Sequence, residues 1–319
     1  MYAAMMSAPV GDDVFEDDPT VRKLEEMVAG MLGKEFGLYV PSGTMGNEIA
    51  VHILTQPGDE ILCQRGCHIV KHEGASAAMI SGVAMREAGN DIGFMTADDL
   101  ESMIQGDDVH EPVTRAISIE TPHTDCGGRL LPYDEIVRIS GMARQRGLAM
   151  HLDGARLWNH HVATGTPLLD FGKLFDTVTV CLSKGLGAPI GSVLCGPRDL
   201  MKYARHTRKR LGGGMRQVGI LAAAGIYAIE NNIARLAEDH ENAKWLGQQL
   251  AAMGPYHLDP NDVETNSVMF TIDGKATDLM DRMQEKGVAI VPMAADRLRA
   301  MTHMDVSRAD VERAAEAFN

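Results

Sequence analysis

The sequence predicts an α/β fold in which a mainly parallel sheet has helices on both faces, followed by a smaller α+β domain. Short, continuously apolar segments bounded by turns alternate with amphipathic helical segments, and such strands are typical of sheets covered on both sides. After residue 234 the pattern changes to a long charged helix followed by shorter elements. A chain of 319 residues has the length of about two domains, which we place at 1–234 and 235–319.

The elements of both domains follow from local signals in the sequence. Asp18 and Pro19 open a helix whose apolar residues share one face, and Gly33 closes it. A strand at 36–40 then runs into the small residues at 41–44, where a second helix begins. Further strands of the large domain are predicted at 60–63, 116–119, 148–152 and 178–182, with a helix at 133–146. The smaller domain is predicted to contain helices at 235–253, 277–286 and from 307 onward, and strands at 268–272, 288–291 and 298–302.

The composition argues against several classes of function. The net charge is −14 and the pI about 5.3, so general binding to nucleic acid or anionic membranes is not expected. The dense basic run at 205–210 is either a solvated helix end or a contact to a subunit or phosphate, and both interpretations are open. Five scattered cysteines complete no zinc site and indicate reduced thiols. No apolar run approaches the length of a membrane span, and the amino terminus has no signal-peptide pattern, so a cytoplasmic protein is expected.

Two residues that follow predicted strands carry most of the functional argument. Lys184 lies where a strand ends in a glycine-rich turn, and Asp153 follows another apolar strand. A lone lysine is usually a surface charge and a lone aspartate often caps a turn, but burying both at neighbouring strand ends is costly unless chemistry uses them. Pyridoxal 5'-phosphate (PLP) needs this pair, a lysine for its aldehyde and a carboxylate for its pyridine nitrogen. The sequence therefore predicts a PLP enzyme.

The segment at 41–47 is a candidate phosphate site. Ser42, Gly43 and Thr44 combine small side chains with the start of a helix, whose N–H groups attract anions. Ser183, next to the lysine, adds a hydroxyl. The chain lacks the glycine-rich patterns of nucleotide-binding loops. Because ligands of open parallel sheets bind at the carboxyl ends of the strands, we expect these residues to meet at one edge.

Four further side chains are candidates for contacts with a substrate. His68 and His123 follow predicted strands, where either can stack on the cofactor ring or take a hydroxyl proton, although surface or core positions are the commoner fate of a histidine. Arg156 and Arg299 can bind a carboxylate through two hydrogen bonds. Arg156 follows the predicted aspartate closely, whereas Arg299 rests on pattern alone. No set of metal ligands is predicted.

Together these segments resemble the L-threonine aldolases, members of the β-eliminating lyase group of fold-type I PLP enzymes. The resemblance extends over nearly the whole chain and rests on segments at 8–14, 41–47, 151–156, 181–187, 212–217, 264–266 and 301–303. It implies a PLP-dependent transferase-like large domain. It also implies a homotetramer, a dimer of dimers whose active sites lie at the dimer interface.

The resemblance implies a cofactor role for several residues. Lys184 would bind PLP covalently, and Asp153 would pair with the pyridine nitrogen. Ser42, Gly43, Thr44 and Ser183 would hold the phosphate.

The resemblance also implies contacts to substrate and to the neighbouring subunit. Arg156 and Arg299 would bind the substrate carboxylate, the first of them beside the cofactor. His68 would stack on the PLP ring and, with His123, serve the β-hydroxyl. Arg216 would reach the cofactor of a neighbouring subunit.

Three features depart from the family pattern. The family usually has about a dozen or more residues before this start, including a Ser-Asp-Thr run near the substrate, so one wall of the site is expected to be trimmed. The segment 120–123 reads Glu-Thr-Pro-His where the family commonly has Glu-Asn-Thr-His, and the proline is expected to change the loop. His72 stands where an aromatic residue is common, and is expected to affect the choice between threonine and allo-threonine or the accepted aldehyde.

The predicted reaction is retro-aldol cleavage of L-threonine, L-allo-threonine or related β-hydroxy-α-amino acids to glycine and an aldehyde. β-Elimination or transamination is the alternative. Elimination would give a keto acid and ammonia, whereas transamination would give a keto acid and leave the amino group on the cofactor. A PLP-binding protein without catalysis and a nucleotide-binding α/β module are the remaining alternatives. The diastereomer preference and the histidine that acts as base are open at this stage.

Overall fold

Seven strands form the main sheet among the residues that the computed structural model describes, 1–106 and 108–319. They are β1 (Phe36–Val40), β2 (Glu60–Gln64), β3 (Ala84–Ala88), β4 (Thr114–Glu120), β5 (Ala149–Gly154), β6 (Thr177–Cys181) and β7 (Ser192–Gly196). Their spatial order is β1-β7-β6-β5-β4-β2-β3, and β7 alone in this order is antiparallel to its neighbours. Because β7 reverses direction, β1 runs parallel to β6 and their carboxyl ends lie at the same edge.

Helices cover both faces of this sheet, as predicted. The helices of the described chain are α1 (Tyr2–Met6), α2 (Pro19–Leu32), α3 (Gly43–Leu54), α4 (His68–Lys71), α5 (Ala97–Glu101), α6 (Tyr133–Arg146), α7 (Leu157–Thr164), α8 (Leu168–Gly172), α9 (Arg198–Arg210), α10 (Gly219–Asn232), α11 (Leu236–Ala252), α12 (Ala276–Glu285) and α13 (Arg308–Phe318). Of these, α12 and α13 pack in the apolar cluster of the carboxyl-terminal part instead. Alternate strand residues enter different apolar clusters: Leu62 and Ile117 pack with α2, α6 and α10, whereas Ile61 and Ala116 pack with Val51 of α3. This alternation follows from the period of two along a strand.

A second sheet lies in the carboxyl-terminal part of the chain. It consists of β8 (Tyr256–His257), β9 (Ser267–Ile272), β10 (Val291–Pro292) and β11 (Arg297–Met301), in the antiparallel order β10-β11-β9-β8. Tyr256, Phe270 and Phe318 pack edge to face at its core, with ring centroids 5.2 to 5.8 Å apart. The apolar cluster here begins at Ala243. The boundary at 234 stays a prediction.

The predicted elements agree with the structure except near one strand. The strand at 36–40 and the helix at 133–146 have their predicted bounds. The strand predicted at 288–291 is wrong, because pairing with β11 involves only Val291–Pro292. Ile290 contributes to the apolar core but does not belong to a strand, so its apolar side chain indicated burial and not strand pairing. Three strands, β3, β7 and β8, were not predicted, and β3 is a partly exposed edge strand with charged residues.

The expectations from composition are met in part. All five cysteines are free, and no helix in the described chain has the length and apolarity to cross a membrane. The basic run at 205–210 forms the end of α9 and is not wholly solvated. Arg208 is buried, donating to the carbonyl of Tyr39 at 2.7 Å and pairing with Asp13 at 2.5 Å. This ion pair joins α9 to the amino-terminal segment.

The carboxylate of Asp18 joins three segments of the chain. Its Oδ1 accepts from the N–H groups of Thr20 and Val21, both at 3.0 Å, and so caps α2 as predicted. Its Oδ2 accepts from the N–H groups of Gly11 at 3.2 Å and Gly219 at 3.0 Å. The buried side chain therefore also fixes the amino-terminal segment and the start of α10.

Replacing Asp18 by Ala is expected to lower the free energy of unfolding by about 2–3 kcal/mol, because it removes a cap and leaves buried N–H groups without acceptors. Urea titration of the protein measures this change. The matched control is Ser307→Ala, which removes the exposed cap of α13 and should cost about 1 kcal/mol. Equal losses in the two variants would contradict the joining role of Asp18.

Candidate functional site

The carboxyl ends of β1 and β6 bring the predicted phosphate site to the predicted lysine. The side chain of Ser42 caps α3 by accepting from the N–H of Met45 at 3.1 Å. A Cβ atom added at Gly43 would lie 2.7 Å from Sγ of Cys181, the last residue of β6. The start of α3 therefore lies against the end of β6. Exposed Ser183 and half-buried Lys184 follow directly.

Lys184 presents an amine without a counter-charge. Among residues 1–106 and 108–319, no carboxylate forms an ion pair with its Nζ. Burial raises the pKa of the Cys181 thiol, and the neighbouring Lys184 ammonium acts against that shift. The amine therefore lies at the sheet edge, beside the end of β6.

Asp153 ends β5 at the same edge and is held by two donors. Its Oδ2 accepts from Nδ2 of Asn47 at 2.8 Å, and its Oδ1 accepts from the N–H of Ala155 at 3.0 Å. The side chain of Asn47 also contacts His151, since its Oδ1 accepts from Nε2 of that residue at 3.2 Å. Burial lowers the pKa of His151 to about 4, so this ring is neutral and donates from one nitrogen only. The aspartate keeps lone pairs for a further donor.

His68 is linked to Asp153 through two side chains. Its Nδ1 lies 2.7 Å from Oε1 of Glu73, and the same oxygen accepts from Nδ2 of Asn47 at 2.9 Å. The backbone N–H of His68 donates to Oε2 of Glu120 at 2.7 Å. Donor atoms of His68, Glu73 and Asp153 all lie within 4.8 Å of one another, and the shared hydrogen bonds account for that closeness without a cation.

Two arginines meet beside these residues, as predicted. Burial lowers the pKa of Arg156, and the neighbouring charge of Arg299 acts in the same direction. Arg156 donates to Oγ1 of Thr124 at 2.8 Å and contacts Met301, which shares a face of β11 with Arg299. Within the described part of the chain neither arginine forms an ion pair. Two neighbouring, half-buried cations with no ion-paired carboxylate in the described chain favour binding of an anion.

Three predicted residues lie apart from this group. His123 is buried, with Nε2 at 3.1 Å from the carbonyl of Arg65 and Nδ1 without a partner, so neither nitrogen is open to solvent. His72 lies on the rim, where its ring is 5.5 Å from that of His68 and its Nε2 is 2.7 Å from Asp125. Its role in specificity stays a prediction.

Arg216 is the third of these residues. It is exposed and pairs with Asp12 at 2.7 Å. The predicted contact to a neighbouring cofactor is not tested within one chain. The Thr121–Pro122 peptide, in the segment that departs from the family pattern, is cis.

Comparison with known proteins identifies the group to which this arrangement belongs. The sequence model described as beta-eliminating lyase matches residues 1–275. The chain belongs to the beta-eliminating lyase family. The low specificity L-threonine aldolase of Escherichia coli K12 is 41% identical over 311 residues, 97% of this chain and 91% of that protein. The low-specificity L-threonine aldolase 1 of Arabidopsis thaliana is 38% identical over 326 residues, 100% of this chain and 91% of that protein.

The fold of this beta-eliminating lyase is shared by a solved structure. The threonine aldolase of Leishmania major superposes with a TM-score of 0.83 over 98% of this chain and 91% of that chain, at 22% sequence identity. An identity this low supports the fold alone. The predicted α/β class and the predicted family are both confirmed.

Sequence reasoning missed the polar residues that hold the site of this beta-eliminating lyase together. Asn47, Glu73, Glu120 and His151 were not predicted, yet they contact or position the predicted residues. One signal was available for Asn47, which lies one helical turn after Gly43 and so faces the same side. Two more signals were available, because Glu120 directly follows a predicted strand and His151 lies two residues before Asp153 on the same strand face. The sequence holds no comparable signal for Glu73.

Asn47→Ala is expected to lower the free energy of unfolding by about 3 kcal/mol, because two buried carboxylates lose their shared donor. Thermal unfolding of the protein without ligand reports the loss. Asn231→Ala serves as the control, since this exposed asparagine donates only to the carbonyl of Tyr227, and should change stability by less than about 0.5 kcal/mol. If both variants unfold alike, Asn47 does not hold the carboxylates.

Proposed function

We propose that this beta-eliminating lyase is a PLP-dependent L-threonine aldolase, which cleaves L-threonine or L-allo-threonine to glycine and acetaldehyde. One observation carries the proposal: the Lys184 amine and the buried Asp153 carboxylate lie at one edge of the main sheet, beside Arg156 and Arg299, and within the described residues neither the lysine nor the arginines form an ion pair. The full-length relatives from Escherichia coli and Arabidopsis thaliana, both named low-specificity L-threonine aldolases, support it.

The residues at this edge fit PLP. Lys184 would attach the aldehyde carbon through Nζ, and Asp153 has lone pairs left for the pyridine N–H. The first N–H groups of α3, those of Gly43 and Thr44, have no acceptor within the helix and would bind phosphate. The absence of a side chain at Gly43 is required here, because a Cβ would press on Cys181. Bound PLP supplies a protonated ring that takes up the electron pair released when the Cα–Cβ bond breaks.

The substrate is recognised by its carboxylate and its β-hydroxyl. Arg156 and Arg299 bind the carboxylate, which relieves the repulsion between the two guanidinium groups. His68 takes the hydroxyl proton through Nε2, since its Nδ1 is already bonded to Glu73. The product is then glycine, once Cα regains a proton. His123 is not assigned this role, because both of its ring nitrogens are shielded from solvent.

The protonation of His68 sets the pH range of this step. The hydrogen bond to Glu73 raises the pKa of His68, burial acts in the opposite direction, and the charges of Asp153 and Glu120 raise it again. A base with a raised pKa stays protonated to higher pH. Cleavage should therefore increase as the pH rises through this pKa.

We also propose a homotetramer in which Arg216 contacts the cofactor of a neighbouring subunit. The exposed position of Arg216 supports this. Its guanidinium pairs with Asp12 but remains accessible to a second subunit. Apolar side chains exposed nearby, those of Val14 and Phe15, are consistent with a buried interface.

Product analysis separates this proposal from elimination or transamination, the second use of the same site. Purified protein with PLP and L-threonine is expected to release glycine and acetaldehyde in equal amounts. A keto acid with ammonia would instead indicate elimination. The same assay with L-allo-threonine gives the diastereomer preference.

Lys184→Ala is expected to abolish the visible absorbance that the protein acquires with PLP and to reduce acetaldehyde release by about a thousandfold or more, because the variant lacks the reactive amine. Lys173→Ala removes an exposed lysine paired with Asp170 and should change neither property. Retained absorbance and activity in the Lys184 variant would refute the assignment.

Gly43→Ala is expected to weaken PLP binding about tenfold, since the added Cβ displaces the start of α3 from β6. Fluorescence titration of the protein with PLP measures this affinity. The control is Gly30→Ala in α2, where a Cβ meets nothing within 4 Å and the affinity should not change. Unaltered affinity in both variants would mean that the phosphate binds elsewhere.

A further inference from the structure

The contact between His68 and Glu73 determines which nitrogen of the histidine carries a proton. Nδ1 of His68 lies 2.7 Å from Oε1 of Glu73. The carboxyl side chain is completely buried, whereas a quarter of the imidazole surface is exposed. The same Oε1 accepts from Nδ2 of Asn47 at 2.9 Å. An ionised carboxylate only accepts hydrogen bonds, so Nδ1 must be the donor.

A second carboxyl group, that of Glu48 on α3, lies beside Glu73. Oε2 of Glu48 and Oε2 of Glu73 are both buried, and neither has a hydrogen-bond partner elsewhere in the described residues. Burial and the neighbouring Glu73 together raise the pKa of Glu48 to about 7, against a hydrogen bond from Ser76. Burial therefore favours a proton on Glu48, whereas Oε1 of Glu73 accepts from Nδ2 of Asn47 and faces Nδ1 of the histidine.

We propose that Glu73 is a positioning residue, whose carboxylate holds the Nδ1 proton of His68 and leaves Nε2 as the only ring nitrogen that a ligand can use. The assignment deepens the proposed function, in which Nε2 takes the β-hydroxyl proton. Without the carboxylate either tautomer would be populated, and a ring with its proton on Nε2 could not accept one there.

Other charges also act on this histidine. Asp153 faces it from β5 and Glu120 from β4, and both act in the same direction as Glu73. The ring of His72 lies 5.5 Å away. Glu73 alone in the described chain contacts a ring nitrogen, so its removal should have the largest effect.

Carbethoxylation of the protein without PLP tests the proposal, because diethyl pyrocarbonate modifies only unprotonated imidazole. Trypsin releases His68 in the peptide 66–71, where it is the only histidine, so mass spectrometry follows its modification alone. Rates measured against pH give the titration midpoint of this residue. For Glu73→Gln the midpoint should shift to lower pH, with modification at pH 6 about threefold or more faster than in the parent protein.

Two matched variants separate charge from packing. Glu48→Gln keeps a donor beside Glu73 and leaves its charge intact, so the midpoint of His68 should equal that of the parent. Glu73→Asp keeps the charge on a shorter side chain and should give a midpoint between those of the parent and Glu73→Gln. It also provides the test if Glu73→Gln does not fold, as judged by circular dichroism.

A midpoint shared by the parent and the Glu73 variants would overturn the proposal. An equal shift in Glu48→Gln would also overturn it, because the effect would then come from disturbed packing. The measurement needs neither PLP nor substrate. A failed aldolase assay therefore does not contradict the role of Glu73. An unshifted midpoint of His68 refutes that role even if the enzyme is an active aldolase.

Discussion

The amide of Asn47 lies between two buried carboxylates, and the arrangement of the active site depends on it. Asp153 and Glu73 come from separate parts of the chain, yet both accept from the same Nδ2. Buried negative charges repel each other unless donors lie between them. The donor is carried by α3, the helix whose first N–H groups are proposed to hold phosphate. The packing of this helix on the sheet therefore fixes the proposed phosphate site and the two carboxylates relative to one another.

A third buried carboxylate, that of Glu120, links the two sides of the proposed substrate site. Glu120, at the end of β4, accepts from the backbone N–H of His68 at 2.7 Å and from that of Thr124 at 2.8 Å. Thr124 in turn accepts from Arg156 at 2.8 Å. A single buried side chain on a rigid strand thus fixes His68 and, through Thr124, Arg156 relative to one another.

The predicted site residues that the structure brings to one sheet edge are those whose position follows from one local rule. Lys184, Asp153 and Ser42 each follow a strand, and the carboxyl ends of parallel strands meet at one edge. Glu73 escaped prediction because its partners lie on other elements and no periodicity marks it. His123 satisfies the same local rule but is buried against the carbonyl of Arg65, a contact that only the folded loop determines.

Strand prediction failed for a related reason. Apolar runs report burial, and Ile290 is buried without pairing in a sheet. The direction of β7 is likewise not encoded by its composition, since a short apolar strand packs equally well in either orientation. Local patterns therefore gave the edge of the sheet and the main helices, whereas the polar contacts between elements required the three-dimensional structure.

The reversed strand β7 has a consequence for synthesis in the cell. The first strand, β1, lies at the border of the sheet and pairs with β7 alone, Phe36 opposite Gly196. On the ribosome β1 emerges early but has no strand to pair with until β7 has been translated. Its pairing must therefore follow synthesis of residues 192–196, after the central strands β4, β5 and β6 have emerged.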